Sequence, residues 1–208
     1  MNELIQKAFS YVDYIVKPPL QELGGILADN VKFLRYKNQV RLINKTQEFH
    51  EKKGIKPKQI PIKTFYEILE SSSLEENETL QDMWAALLAN ATDMDSRTDF
   101  SEVFVKILSE LSQEEALFLY ARWTEFKKTP DATIMIIHVN DVIRSLGHEP
   151  DDSTAEKSGD KLKADVILNN LERLGIIKES STHPKFSLRN YRVTHLGMLF
   201  LEKCNYNV

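Results

Sequence analysis

Three closely spaced aspartates, five histidines and one cysteine are the side chains with which this 208-residue chain could do metal or covalent chemistry. Asp93, Asp95 and Asp99 have the look of a calcium loop. That loop needs Gly at position 6 and a bidentate Glu at position 12, and Thr98 and Phe104 stand there. The triplet therefore reads as an Asp-rich turn capping the helix that follows. His50, His138, His148, His183 and His195 show no i, i+4 ligand pairing, and no HExxH occurs. Leu23-Gly24-Gly25-Ile26 lacks both phosphate-loop patterns and reads as a close approach of helices. With one cysteine, an internal disulfide and a cysteine-rich zinc site are excluded. Cys204, in an apolar helix, reads as a buried structural thiol, and no GxSxG elbow is present. The expectation is a protein that is not an enzyme, with no cofactor and no metal.

What remains is recognition chemistry. In the C-terminal half, Lys161, Lys163, Asn169, Asn170 and Arg173 fall on one predicted helix, and Lys185, Arg189 and Arg192 on the hairpin after it. Asn can read adenine and Arg guanine, so these are the candidate nucleic-acid contacts. Their neighbours Asp160, Asp165 and Glu172 oppose phosphate binding. In the N-terminal half the charge is divided sharply. Residues 32–63 hold ten Lys/Arg against two Glu, and residues 64–111 hold two basic against eleven acidic side chains. Such a division gives either a basic surface for phosphates or lipid headgroups, or two neighbouring segments that fold against each other. Lys32, Arg35, Lys37, Arg41 and Lys45 are the candidate interaction surface.

The elements that must position these groups are mostly helices. Only 14 positions are Gly or Pro, which disfavours a turn-rich β-sandwich. Leu4 to Ile15 has helical spacing up to Pro18-Pro19. A long basic helix is expected over about 20–53, roughly 50 Å at 1.5 Å per residue, stopped by Gly54 and Pro57. Its apolar positions are irregular and its basic residues leave a narrow stripe, so it is expected to self-associate as a dimer, to lie across the acidic segment, or to rest on an anionic membrane surface. After a Lys- and Pro-rich linker at 54–61, stripes at 62–69, 80–94 and 100–111 predict three more helices, with Trp84 central in the second. Ser112 and Glu115 have capping-box spacing. Thr133 to Val139 reads as a buried strand. Asn140 or Asp141 caps a brief helix closed by Gly147, 148–159 is a polar loop, and a helix over 161–174 ends before Gly175. Strands begin at Ile176 and Tyr191, and Thr194 caps the last helix. That order is the order of a winged helix-turn-helix.

Two segments carry a family resemblance. Pro18/Pro19, Leu23-Gly24 and Leu27-x-Asp29 form the first. The second is Leu80-x-x-Met83-Trp84-Ala85-x-Leu87-Leu88-Ala89-x-Ala91, then Phe100 and Ile107-Leu108-x-x-Leu111-Ser112-x-x-Glu115-Ala116. Together they resemble the abortive infection alpha family of bacterial proteins. The resemblance implies a place in phage defence; its positions are apolar, small or capping, so it transfers packing and no catalytic residue.

The expected architecture is mainly α. An N-terminal helical domain of residues 1–111 is followed by a winged helix-turn-helix-like α+β domain with a small sheet, residues 112–208. The longest uncharged run, ten residues, is too short for a membrane span, and charges interrupt the N-terminus where a signal peptide would be apolar. The expected place is the cytoplasm. The expected activity is a defence role through an unknown protein partner or a surface, with a DNA-binding regulator as the alternative.

Overall fold

The computed structural model describes residues 7, 11, 14, 16, 17, 33–96, 101–129, 132–148, 159–181 and 189–205. Its elements, in chain order, are β1 (Val16–Lys17), α1 (Phe33–Lys53), β2 (Ile60–Pro61), α2 (Ile62–Ser72), α3 (Glu78–Ala91), α4 (Ser101–Glu110) and α5 (Gln113–Phe126). Then follow β3 (Ile136–His138), α6 (Val139–Ser145), α7 (Gly159–Arg173), β4 (Ile177–Ser181), β5 (Asn190–Val193) and α8 (His195–Lys203). The described residues are thus mainly helical, with one small three-stranded antiparallel sheet. They form two compact units, 1–113 with 203–207, and 114–202.

The first unit is built on α3. Leu80, Met83, Trp84, Leu87, Leu88 and Ala91 are buried, as their spacing predicts, but so are Gln81, Ala85, Ala86 and Ala89, which encloses the helix on every side. Asn77 caps it by accepting from the Leu80 amide at 3.2 Å. Met94, expected at the end of the stripe, is 57% exposed because α3 stops at Ala91. α2 buries Phe65, Ile68 and Leu69, and α4 buries Phe104, Ile107 and Leu108.

The helix expected over 20–53 is described from Phe33; its first part, with Lys32, lies outside the described residues. It ends where expected: the Ile55 amide donates to the His50 carbonyl at 3.0 Å and the Gly54 amide to Glu51 at 3.4 Å, the paired bonds that close a helix at a C-terminal glycine. The 54–61 stretch is no loose linker. Pro57 bridges to Asp93, Lys58 donates to the Thr92 carbonyl at 2.6 Å, and β2 pairs in parallel with β1.

In the second unit the strands run in the order β3–β5–β4, both pairs antiparallel. Residues 112–194 thus follow the expected order of helix, strand, two helices and hairpin, with α8 returning. The strand predicted over 133–139 shortens to 136–138: its end is set by the Asp141 carboxylate, which accepts from the His138 amide at 2.9 Å and opens α6 at Val139, and Ile134, expected to be buried, is 56% exposed. In α5 the buried apolar side chains are Ala116, Phe118, Leu119 and Trp123.

Two glycines fix the join between α7, the sheet and α8. Gly175 has φ +74°, a conformation open to Gly at little cost, so the chain leaves α7 and enters β4 through buried Ile176. A Cβ on Gly197 would lie 2.2 Å from the Ile176 carbonyl oxygen, so only Gly lets α8 start this close to β4. Thr194 ties the same corner. Its hydroxyl donates to the Gly175 carbonyl at 2.6 Å and accepts from the Gly197 amide at 3.0 Å, as an N-cap does.

Candidate interaction surfaces

The basic residues of α1 meet the acidic segment within their own unit. Arg35 pairs with Glu70 at 3.1 Å and Arg41 with Glu78 at 3.3 Å. Lys45 pairs with Asp82 and, at 3.7 Å, with Glu78. Of the four described candidates on this helix, Lys37 is the one exposed to solvent. The charge division is therefore internal along this helix, and each such pair contributes at most about 1 kcal/mol at the surface.

Beneath these pairs α1 has a wide buried face. It escapes a hydrophobicity reading because it mixes Leu42, Ile43 and Phe49 with buried Asn38, Gln39, Thr46 and His50. The polar groups reach main-chain acceptors. Asn38 Nδ2 donates to the Ser73 carbonyl at 3.1 Å, and Thr46 Oγ1 to the Leu42 carbonyl at 2.9 Å. His50 Nε2 lies 3.0 Å from the Ala89 carbonyl and Nδ1 against the Tyr11 hydroxyl. A neutral ring that donates from Nε2 and accepts at Nδ1 satisfies both. Burial lowers the His50 pKa from its ordinary 6.5, against the opposing pull of the Ala89 carbonyl and Asp93. The narrow apolar stripe expected of α1 is therefore widened into a core-facing side by buried polar residues, of which Asn38, Thr46 and His50 have hydrogen-bond partners.

In the second unit the candidate base-reading groups are engaged with one another. Asn170 Nδ2 donates to both carboxylate oxygens of buried Glu115, at 2.9 and 3.0 Å. Arg173 donates from Nε and Nη2 to Asn170 Oδ1 at 3.1 and 2.8 Å. Arg189 is paired with Asp165; burial opposes its charge, but that bond and nearby carboxylates hold its pKa above the ordinary value. Lys161 is buried. Lys163, Asn169 and Arg192 are exposed, and Lys185 lies outside the described residues. Sequence reasoning missed Leu162 and Val166, which stand one turn apart on α7 and are 69% and 61% exposed. Apolar residues at i and i+4 on a helix fit a buried face equally well, so their spacing gave no signal of exposure.

Cys204 is buried, which pushes its thiol pKa well above the ordinary value, in keeping with a structural role. Asp93 Oδ1 accepts from the Asp95 amide at 2.9 Å, a local turn; Asp99 lies outside the described residues. No group of three His, Cys, Asp or Glu able to hold a metal occurs among the described residues. No helix among them is long and apolar enough to cross a membrane.

The family model described as abortive infection alpha covers residues 37–204. No curated protein and no solved structure matches the chain.

Proposed function

Because the chain belongs to the abortive infection alpha family, we propose that it takes part in phage defence as a contact protein, not an enzyme, and meets a protein partner through the outward face of α7. The observation that carries this reading is the distribution of groups on that helix. Leu162 and Val166 face solvent, whereas Asn170 and Arg173, the residues suited to base edges, are held in a network anchored on Glu115. Exposed apolar pairs of this kind gain by covering with protein. A second copy of the chain is the simplest such partner, since soluble oligomers are most often two-fold pairs.

The second reading, a DNA-binding regulator, is favoured by the winged-helix-like element order and by exposed Lys163, Asn169 and Arg192. Fluorescence anisotropy of generic duplex DNA with the full chain, across a salt series, separates the two. The contact reading predicts no binding at low salt. Binding that weakens steeply with salt, as counterion release requires, would replace it with the regulator.

A further inference from the structure

The second unit pairs its arginines inside the fold with one exception. Arg122 contacts Glu125 and Asp141, Arg144 contacts Asp141, Arg173 donates to Asn170, and Arg189 pairs with Asp165. Arg192 has no such partner among the described residues, and directly opposite it on β4 stands Lys178, likewise exposed and likewise without one. Directly opposed residues on antiparallel strands bring their Cβ atoms to about 5 Å, and like charges there repel.

The rest of that sheet face strengthens the field. Register and alternation place Ile136, His138 and Asn190 on the same side as Arg192 and Lys178, and none of them is acidic. The opposite side carries the buried residues Ile137, Tyr191, Val193 and Ile177, so the basic face points away from the helices, α7 included.

We infer that this sheet face is a docking site for an acidic polypeptide segment, with Lys178 and Arg192 as its paired anchors and His138 beside them. Complementary charge is the argument for the occupant: an uncompensated cationic pair is relieved by carboxylates laid across the strands. A DNA occupant is disfavoured by charge, because Asp160, Asp165 and Glu172 on the neighbouring α7 oppose phosphate binding. The inference rests on reading the chain as a contact protein and names the chemistry of one partner.

Isothermal titration of the full chain with poly-L-glutamate at low salt tests it, with generic duplex DNA as the second titrant. Poly-L-glutamate is expected to bind. The double variant Lys178→Gln/Arg192→Gln is expected to weaken it at least tenfold, while Arg192→Lys keeps most of the affinity and Lys127→Gln/Lys128→Gln leaves it unchanged. Circular dichroism and a urea melt accompany each variant, and the double variant is expected to melt no earlier than the parent, since it removes a repulsion. Unaltered binding in the double variant overturns the site, as does failure of poly-L-glutamate to bind. Duplex binding that depends on the pair, with no polyglutamate binding, transfers the face to nucleic acid. Protection against phage that persists in the absence of polyglutamate binding removes this inference and leaves the defence reading standing.

Discussion

Replacing Gly197 by Ala tests the corner that joins α7, the sheet and α8. An added Cβ would lie 2.2 Å from the Ile176 carbonyl oxygen, 3.0 Å from its carbonyl carbon and 2.8 Å from Val193 Cγ1. Two of those atoms are backbone. The Ile176 oxygen also accepts from the Thr194 amide at 2.9 Å, so it cannot retreat without stretching that bond. To clear the methyl, the first turn of α8 must move away from β4, and the Thr194 cap to the Gly197 amide is strained with it. Overpacking costs about 1–3 kcal/mol and a lost N-cap about 1 kcal/mol, so the expected loss is about 2–4 kcal/mol. The chain's two tryptophans make this measurable: Trp84 lies in the first unit and Trp123, buried, in the second. In a Trp84→Phe background, urea melts followed by Trp123 fluorescence report the second unit alone. A loss below ~0.5 kcal/mol would refute the close approach argued for Gly197.

Three further outcomes follow from the same account. Trp84→Ala, at a ring 3% exposed, should cost about 3–5 kcal/mol; a denaturant melt showing under ~1 kcal/mol would mean that the α3 face is not core. The first unit should weaken in mild acid. The His50 pKa is lowered in the fold, so the unfolded chain takes up a proton first; the stabilisation is complete above 6.5 and is lost as pH falls through the lower folded-state value. His50→Gln keeps a donor towards Ala89 and should flatten this dependence in melts followed by Trp84 fluorescence, and an equally steep acid loss in that variant would assign it to other groups. Asn170→Ala should leave buried Glu115 without this donor and destabilise the second unit by about 1–3 kcal/mol; a neutral result would mean that water replaces the amide.

The sequence made some of this legible and hid the rest for physical reasons. Gly175 and Thr194 were readable because a glycine after a helical stripe and a threonine before one have few other uses. The core of α3 was readable from periodicity, but its enclosure by Ala85, Ala86 and Ala89 was not, since alanine suits any environment. α1 was the main surprise. Asn38, Gln39, Thr46 and His50 count as polar in any pattern, yet each is buried; Thr46 bonds back to Leu42 in its own helix, but nothing local states that Ser73 and Ala89 offer carbonyls to Asn38 and His50. The internal use of Asn170 and Arg173 was equally hidden, because Glu115 lies 55 residues from Asn170. The exposure of Leu162 and Val166 is not legible, because apolar residues at i and i+4 on a helix fit a buried face equally well.

Phage plating on cells expressing Leu162→Asp/Val166→Asp tests the central claim most directly. Both residues are exposed, so the variant should fold and melt like the parent. Across a phage panel against which the parent chain protects, the account predicts that this variant loses protection while Lys163→Gln/Asn169→Ala keeps it. Protection retained by the aspartate variant and lost by Lys163→Gln/Asn169→Ala would contradict the account and assign α7 to nucleic acid.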